Sequence, residues 1–319
     1  MIGADEEALR LFADVDGDGD PDGDLADLLD SGETVTARKV AAVALLETFG
    51  SESDPDGGHE FVEVQVQFRL DGDDLVMIYT PEGGDPIERV IPDATTNEDD
   101  FYEDDADGYY VIFIVQDSYA DFLAGESGYA LRGGAFDQQD GDGFGYSLRF
   151  VVGAETQDAA LAELGASEAE IFYTGGGAIA IRRADAGFNT YNGLLFGDTA
   201  LTADFGAGTI SGTMDNLGYR ESIDGGDRVT VPLEGEVLFE EATFSINGFE
   251  GDMSADATLL EDSELAGTVA GSLTYSGAFF GPAADEVGGA ISGSATVAGE
   301  EGSIDYLAVG HWNAYETGF

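Results

Sequence analysis

From His59 onward the apolar positions fall on every second residue. Val62, Val64, Val66, Phe68 and Leu70 alternate with polar neighbours, which is the period of a strand with one covered face. Residues 75–79 form a second apolar run, placed to pair with the first across the turn formers Asp71-Gly72-Asp73-Asp74. Residues 109–115 and 145–152 read as further strands, with a short helix near 158–164. From Ala169 to the end, short alternating runs are separated by glycine-containing turns, which predicts an antiparallel barrel or sandwich.

The first fifty residues follow a different period. Ala8, Leu9, Leu11 and Phe12 make a short apolar face over 6–13, and Val40, Val43, Ala44 and Leu46 repeat at near-helical spacing over 35–49. Residues 51–58 read as a linker, and 81–108 as an acidic loop. The expected organisation is a helical segment over 1–50, a β-rich domain over 59–165 and a second β domain over 166–319.

Composition narrows the function. The 319 residues carry 66 Asp plus Glu against 11 Lys plus Arg, a net charge of −55. Phosphate backbones and anionic lipid head groups both need a basic face, so nucleic acid and docking on acidic membranes are excluded as partners. Such a charge fits a saline medium, where self-repulsion is screened, or the binding of divalent cations. At 43% hydrophobic residues the chain still has ample material for a core. Without cysteine it has no disulfide, thiolate metal site or cysteine nucleophile. No stretch reaches the roughly 18 apolar residues of a membrane helix. The start Met1-Ile2-Gly3-Ala4-Asp5 is not a signal peptide, so export implies a leader absent from this chain or a signal elsewhere.

One acidic segment has ion-site spacing. In Asp14-Val15-Asp16-Gly17-Asp18-Gly19-Asp20, three carboxylates at alternate positions precede a glycine that permits the sharp turn of a calcium loop. Asp14, Asp16, Asp18, Asp20, Asp22 and Asp24 are the candidate calcium ligands in an EF-hand or dockerin-like loop. It departs from that pattern at its twelfth position, where Leu25 stands and Asp24 lies one residue early. Residues 104–108 and 137–143 are weaker echoes, read as solvated turns. Catalysis finds little support. There are two histidines, His59 and His311, no G-x-S-x-G, and too many acids for any single carboxylate pair to be informative. Tyr109, Tyr110, Tyr119, Tyr129 and Tyr146 are read chiefly as strand filling, with protein-binding contacts as the other role.

Two segments carry a family resemblance. The first runs from Gly277 to Gly289, with Phe279, Phe280, Gly281, Pro282, Ala284, Glu286 and Gly288 in place of a G-x-F-F/Y-G-P-x-A-x-E-x-G-G signature. The second has Tyr173 and Gly175 followed by Asp204, Phe205, Ser211 and Gly212. In these the chain resembles the transferrin-binding protein B family of bacterial surface proteins. The resemblance covers roughly 165–310 and implies a mainly β fold: an antiparallel eight-stranded β-barrel preceded by a β-rich handle-like domain, here with a short N-terminal helical segment. It further implies an extracellular or outer-cell-surface binding protein that captures an iron or haem source through barrel or handle loops, without catalysis. The partner would be a protein or haem, and no contact residue of the family transfers onto this chain. Haem binding, if measured, would point to His59, His311 or a tyrosine, although both histidines read first as structural or surface residues. Members of the family are lipoproteins anchored through an N-terminal Cys, and this chain departs from that pattern. The alternative is a calcium-stabilised structural or adhesive exoprotein. A third possibility is a barrel enclosing a small apolar ligand.

Overall fold

The alternation that starts at His59 becomes a long strand, and one of its faces is covered from Val64 to Phe68. In the computed structural model, Val64, Val66 and Phe68 are 0–2% exposed, while Gln65 between them is open to solvent. The structure describes residues 35–36, 42–48, 58–81, 84–94, 101–104, 109–114, 129–138, 144–153, 155–183, 191–222, 228–255, 268–299 and 302–317.

The first sheet contains β1 (Val35–Thr36), β2 (Ala42–Thr48), β3 (Gly58–Asp71), β4 (Asp74–Pro81), β5 (Ile87–Ile91), β6 (Phe101–Asp104), β7 (Tyr109–Ile114), β8 (Ala130–Gln138) and β9 (Phe144–Gly153). Its order is β5-β4-β3-β2-β9-β8-β7-β6, with β1 also on β3 and every pairing antiparallel. β3 and β4 form the hairpin expected across Asp71–Asp74, where Gly72 adopts φ 69°. Phe68 and Phe150 meet across the sheet with ring centroids 5.1 Å apart.

A short helix, α1 (Asp158–Ala166), leads from this sheet into the second. Leu161 and Leu164 on α1 pack against the second core. The chain then runs through β10 (Glu170–Arg183), β11 (Tyr191–Asp204), β12 (Thr209–Ser222), β13 (Arg228–Pro232), β14 (Val237–Ile246), β15 (Gly248–Ala255), β16 (Thr268–Phe280), β17 (Glu286–Gly299) and β18 (Gly302–Glu316). The pairings β10–β11, β11–β12, β12–β14, β14–β15, β15–β16, β16–β17, β17–β18 and β18–β10 close an antiparallel eight-stranded barrel. β13 lies along the far half of β12. Closure gives each of these eight strands a partner on both sides.

Large rings fill the barrel. Trp312 touches Phe239 at 5.4 Å and Phe249 at 6.1 Å between centroids. Phe279 touches Phe205, Phe244 and Phe249 at 5.0–5.6 Å. Trp312, Tyr173, Tyr275, Phe239 and Phe279 are among the largest fully buried side chains. The register explains how an indole fits. Trp312 sits opposite Gly177 on β10 and Gly289 on β17, so both neighbouring strands are bare of side chain beside it. Small residues opposite large ones let the layers interdigitate at native density. Among the described residues these rings occupy the middle of the barrel, where the third expectation above would need unfilled space.

Two further expectations are corrected. Residues 35–49 are not a helix where they are described: Val35–Thr36 is β1 and Ala42–Thr48 is β2. The run Ala-Val-Ala-Leu-Leu suits a strand as well as a helix, and long-range pairing of β2 with β3 and β9 decides the matter. The first sheet therefore takes in strands from before residue 59. The acidic stretch 81–108 also holds strands, β5 and β6. The helix near 158–164 is where the pattern placed it. The helix expected over 6–13 lies outside the described residues.

Trp312→Ala is expected to lower unfolding free energy by about 3–5 kcal/mol, read from denaturant midpoints, because no neighbour can collapse into so large a void. Gly289→Ala is expected to destabilise as well, since its methyl would stand 1.7 Å from the Ser276 carbonyl oxygen in the barrel wall. The charge gives a third outcome. Raising salt from about 0.1 M to about 1 M shortens the screening length from about 10 Å to about 3 Å, so the thermal midpoint is expected to climb by several degrees. A midpoint that fell or stayed level on calorimetry would contradict it.

Candidate functional site at the junction of sheet and barrel

Alternation along a barrel strand sends every second side chain outward. On β16 Phe279 points in and Phe280 out; on β17 Val287 points in and Glu286 out; on β18 Trp312 points in, with His311 and Asn313 out. Outward polar residues ordinarily meet water. Here Glu286, His311 and Asn313 are 1–4% exposed, because β8 and β9 of the first sheet lie across β17 and β18. The apolar part of the contact is Ala130 and Val151 from the sheet against Ala278 and Phe280 from the barrel, with Tyr129 packed alongside.

Hydrogen bonds complete the joint. Just after β9, the Thr156 backbone N–H donates to the Phe279 carbonyl at 2.9 Å and its hydroxyl donates to the Gly281 carbonyl at 2.8 Å. Asn247, between β14 and β15, works from the other side. Its Nδ2 donates to the carbonyls of Phe279 (2.8 Å) and Thr156 (3.1 Å), and its Oδ1 accepts the Phe279 N–H at 2.7 Å. The Arg132 guanidinium, on β8, donates to the Gly176 carbonyl on the outside of β10.

The turn between β16 and β17 is shaped by this contact. Gly281 has φ 85°, and the Tyr129 ring lies 2.7 Å from where a Cβ would stand, so both conformation and space require glycine. Ala284, also at positive φ, gives its carbonyl to the buried Tyr173 hydroxyl at 2.8 Å. Glu286 Oε1 accepts the Tyr129 N–H at 2.8 Å, and its Oε2 is buried without a partner. The signature residues are thus the barrel's half of a joint: Phe279 fills the interior, while Phe280, Gly281 and Glu286 meet the sheet.

Electrostatics follow burial. Desolvation pushes the Glu286 carboxyl up to about 7, partly opposed by the Tyr129 and Ala130 N–H groups and assisted by Asp285. His311 is held well below the usual histidine range, first by burial and then by the Arg132 and Arg149 charges, so its imidazole is neutral. Burial, together with Glu316 and Asp285, also raises Tyr173, which stays a phenol. The imidazole and, below about pH 7, the carboxyl are therefore uncharged where the sheet covers the barrel.

The other sequence candidates fall elsewhere. Asp14, Asp16, Asp18, Asp20, Asp22 and Asp24 lie outside the described residues. Among the described residues no group of three or more His, Asp or Glu is placed to hold a metal ion. His59 is in β3, and its side chain and those of Tyr109, Tyr110, Tyr119 and Tyr146 are outside the description. Of the tyrosines considered, Tyr129 fills the joint. Asn247 and Thr156 were missed. The dipeptide Asn247-Gly248 signals a turn, but nothing local shows that its amide reaches a strand end and a segment 91 residues earlier.

Over 80–90% of its length the chain is similar to several solved structures. A transferrin-binding protein B double mutant from Haemophilus parasuis is 14% identical with a TM-score of 0.39, over 80% of this chain and 54% of that one. The transferrin-binding protein B of serogroup B Neisseria meningitidis is 15% identical with a TM-score of 0.38, over 81% and 53%. HpuA from Kingella denitrificans, solved in complex with human haemoglobin, is 13% identical with a TM-score of 0.36, over 90% and 88%. The chain spans about half the length of the transferrin-binding proteins it matches. No protein-family model and no curated protein sequence matches it.

Asn247→Leu should lower stability by about 2–3 kcal/mol, since it strands the Phe279 N–H and weakens two carbonyls in a dry contact. Chemical denaturation of the variant beside the parent protein checks this; a loss below about 0.5 kcal/mol would refute the role given to Asn247.

Proposed function

We propose that this chain is a binding protein of the cell exterior that holds a protein partner, an iron carrier or a haem protein, on the outer surface of its sheet and barrel, without covalent chemistry. The observation that carries the reading is the filled barrel. With Trp312, Phe239, Phe249, Phe279 and Tyr275 in contact inside, recognition falls to outer faces and connecting loops, and such surfaces suit a macromolecule better than a small enclosed ligand. The partner class comes from the resemblance in the two signature segments. Those segments serve the wall and the joint, so they support the architecture and leave the partner's identity to experiment.

The haem version is narrower. His311 is buried at the joint, so capture of free haem through histidine falls to His59, or to a tyrosine. Immobilised protein would be exposed in turn to haemoglobin, an iron-loaded transferrin and haemin, with and without Ca²⁺ in the buffer. Saturable binding of either protein supports the reading. Binding of haemin alone, with a shifted Soret band, replaces protein capture by haem capture. Failure of all three probes in molar salt, with the protein shown to be folded, overturns iron-source capture. A response that depends on Ca²⁺ assigns a role to the Asp14–Asp24 loop in the same experiment.

A further inference from the structure

Glu286 does something that a structural joint does not need. The contact already has an apolar centre and the paired bonds of Thr156 and Asn247. Into it the barrel places a carboxyl that is 4% exposed, with one oxygen on the Tyr129 N–H of the sheet and the other facing no donor. A neutral acid leaves only a hydroxyl without an acceptor there. A carboxylate leaves a buried charge half-solvated, and that costs far more.

We propose that Glu286 is a proton-operated latch between the first sheet and the barrel: protonated it lets the sheet close on β17, and on losing its proton it loosens that contact.

The charged surroundings favour this. Asp285 precedes Glu286 in the turn and repels its charge. On β16 its cross-strand partner is Phe280, which bridges to Glu155, another acid. On β18 its partner is Tyr315, whose phenol is 40% exposed. From the sheet come the Tyr129 and Ala130 N–H groups, with Arg132 on β8 and Arg149 on β9. Those two guanidiniums act on His311, four residues along β18 from Tyr315, and neither figures among the groups that shift Glu286. Among the described residues, then, one acid, Asp285, acts on the carboxyl and no cation holds its charge.

The direction of the pH response follows. Glu286 binds its proton more tightly in the closed junction than in an open one, so closure is favoured below the ordinary carboxyl range and weakens as pH rises toward about 7. His311 acts in the opposite sense. Kept neutral when buried, it lowers the stability of the folded protein in acid, and this effect fades as pH rises through the ordinary histidine range. The two oppose each other in mild acid, so a single stability curve hides the latch and a comparison with Glu286→Gln reveals it.

Thermal unfolding of the whole protein and of Glu286→Gln in the same molar salt, from about pH 5 to about pH 8.5, is the test. The glutamine keeps an acceptor for Tyr129 and cannot ionise. Its midpoint relative to the parent is expected to rise by several degrees as pH increases, levelling above about pH 7.5. A difference that stays constant with pH overturns the proposal. Amide exchange at Tyr129 and Ala130 in the parent protein gives an independent reading. Corrected for intrinsic rates, their protection is expected to fall by up to about tenfold per pH unit between about pH 5 and pH 7. Equal protection at both ends of that range overturns the latch, whatever the variant does.

Discussion

A closed eight-stranded barrel has to be filled, and here the filling is aromatic. Trp312 takes the centre because Gly177 and Gly289 flank it on the neighbouring strands, and Phe239, Phe249, Phe279 and Tyr275 close around it. Once those rings are inside, strand alternation leaves no freedom for the residues between them. Phe280, Glu286, His311 and Asn313 must point outward. The interior packing therefore fixes which positions face the joint.

An outward face with a carboxyl, an imidazole and an amide would normally be solvated. Covering it with a second sheet is tolerable because most of its polar groups find partners: Asn247 serves both sides of Phe279, Thr156 serves the turn, and Tyr173 reaches Ala284 from within. Ionisation absorbs the remainder, since His311 is neutral and Glu286 holds a proton far above the ordinary range. Chemically inert surroundings and perturbed protonation are usually taken as opposites. In this joint the first is the cause of the second.

Much of the architecture was readable in the chain because its causes are local. The period of two from Val62 to Leu70, the Asp71–Asp74 turn and the helix after residue 157 each depend on neighbours in sequence. What misled was a stretch whose state is fixed from afar. β2 reads as a helix by the spacing of Val43, Ala44 and Leu46, and it is a strand because β9, about a hundred residues later, pairs with it. The signature from Gly277 to Gly289 was visible as a turn between two strands. Its role as a joint was not, since Tyr129 and Thr156, which give it that role, lie more than a hundred residues upstream.

The chain has one tryptophan, and among the described residues its ring packs against barrel side chains alone. Its intrinsic fluorescence is therefore a private signal of the second sheet. Emission from Trp312 reports whether the barrel is dry and packed. A condition that separates the halves without melting either would leave that emission unmoved, so the protein carries its own optical means of telling undocking from unfolding.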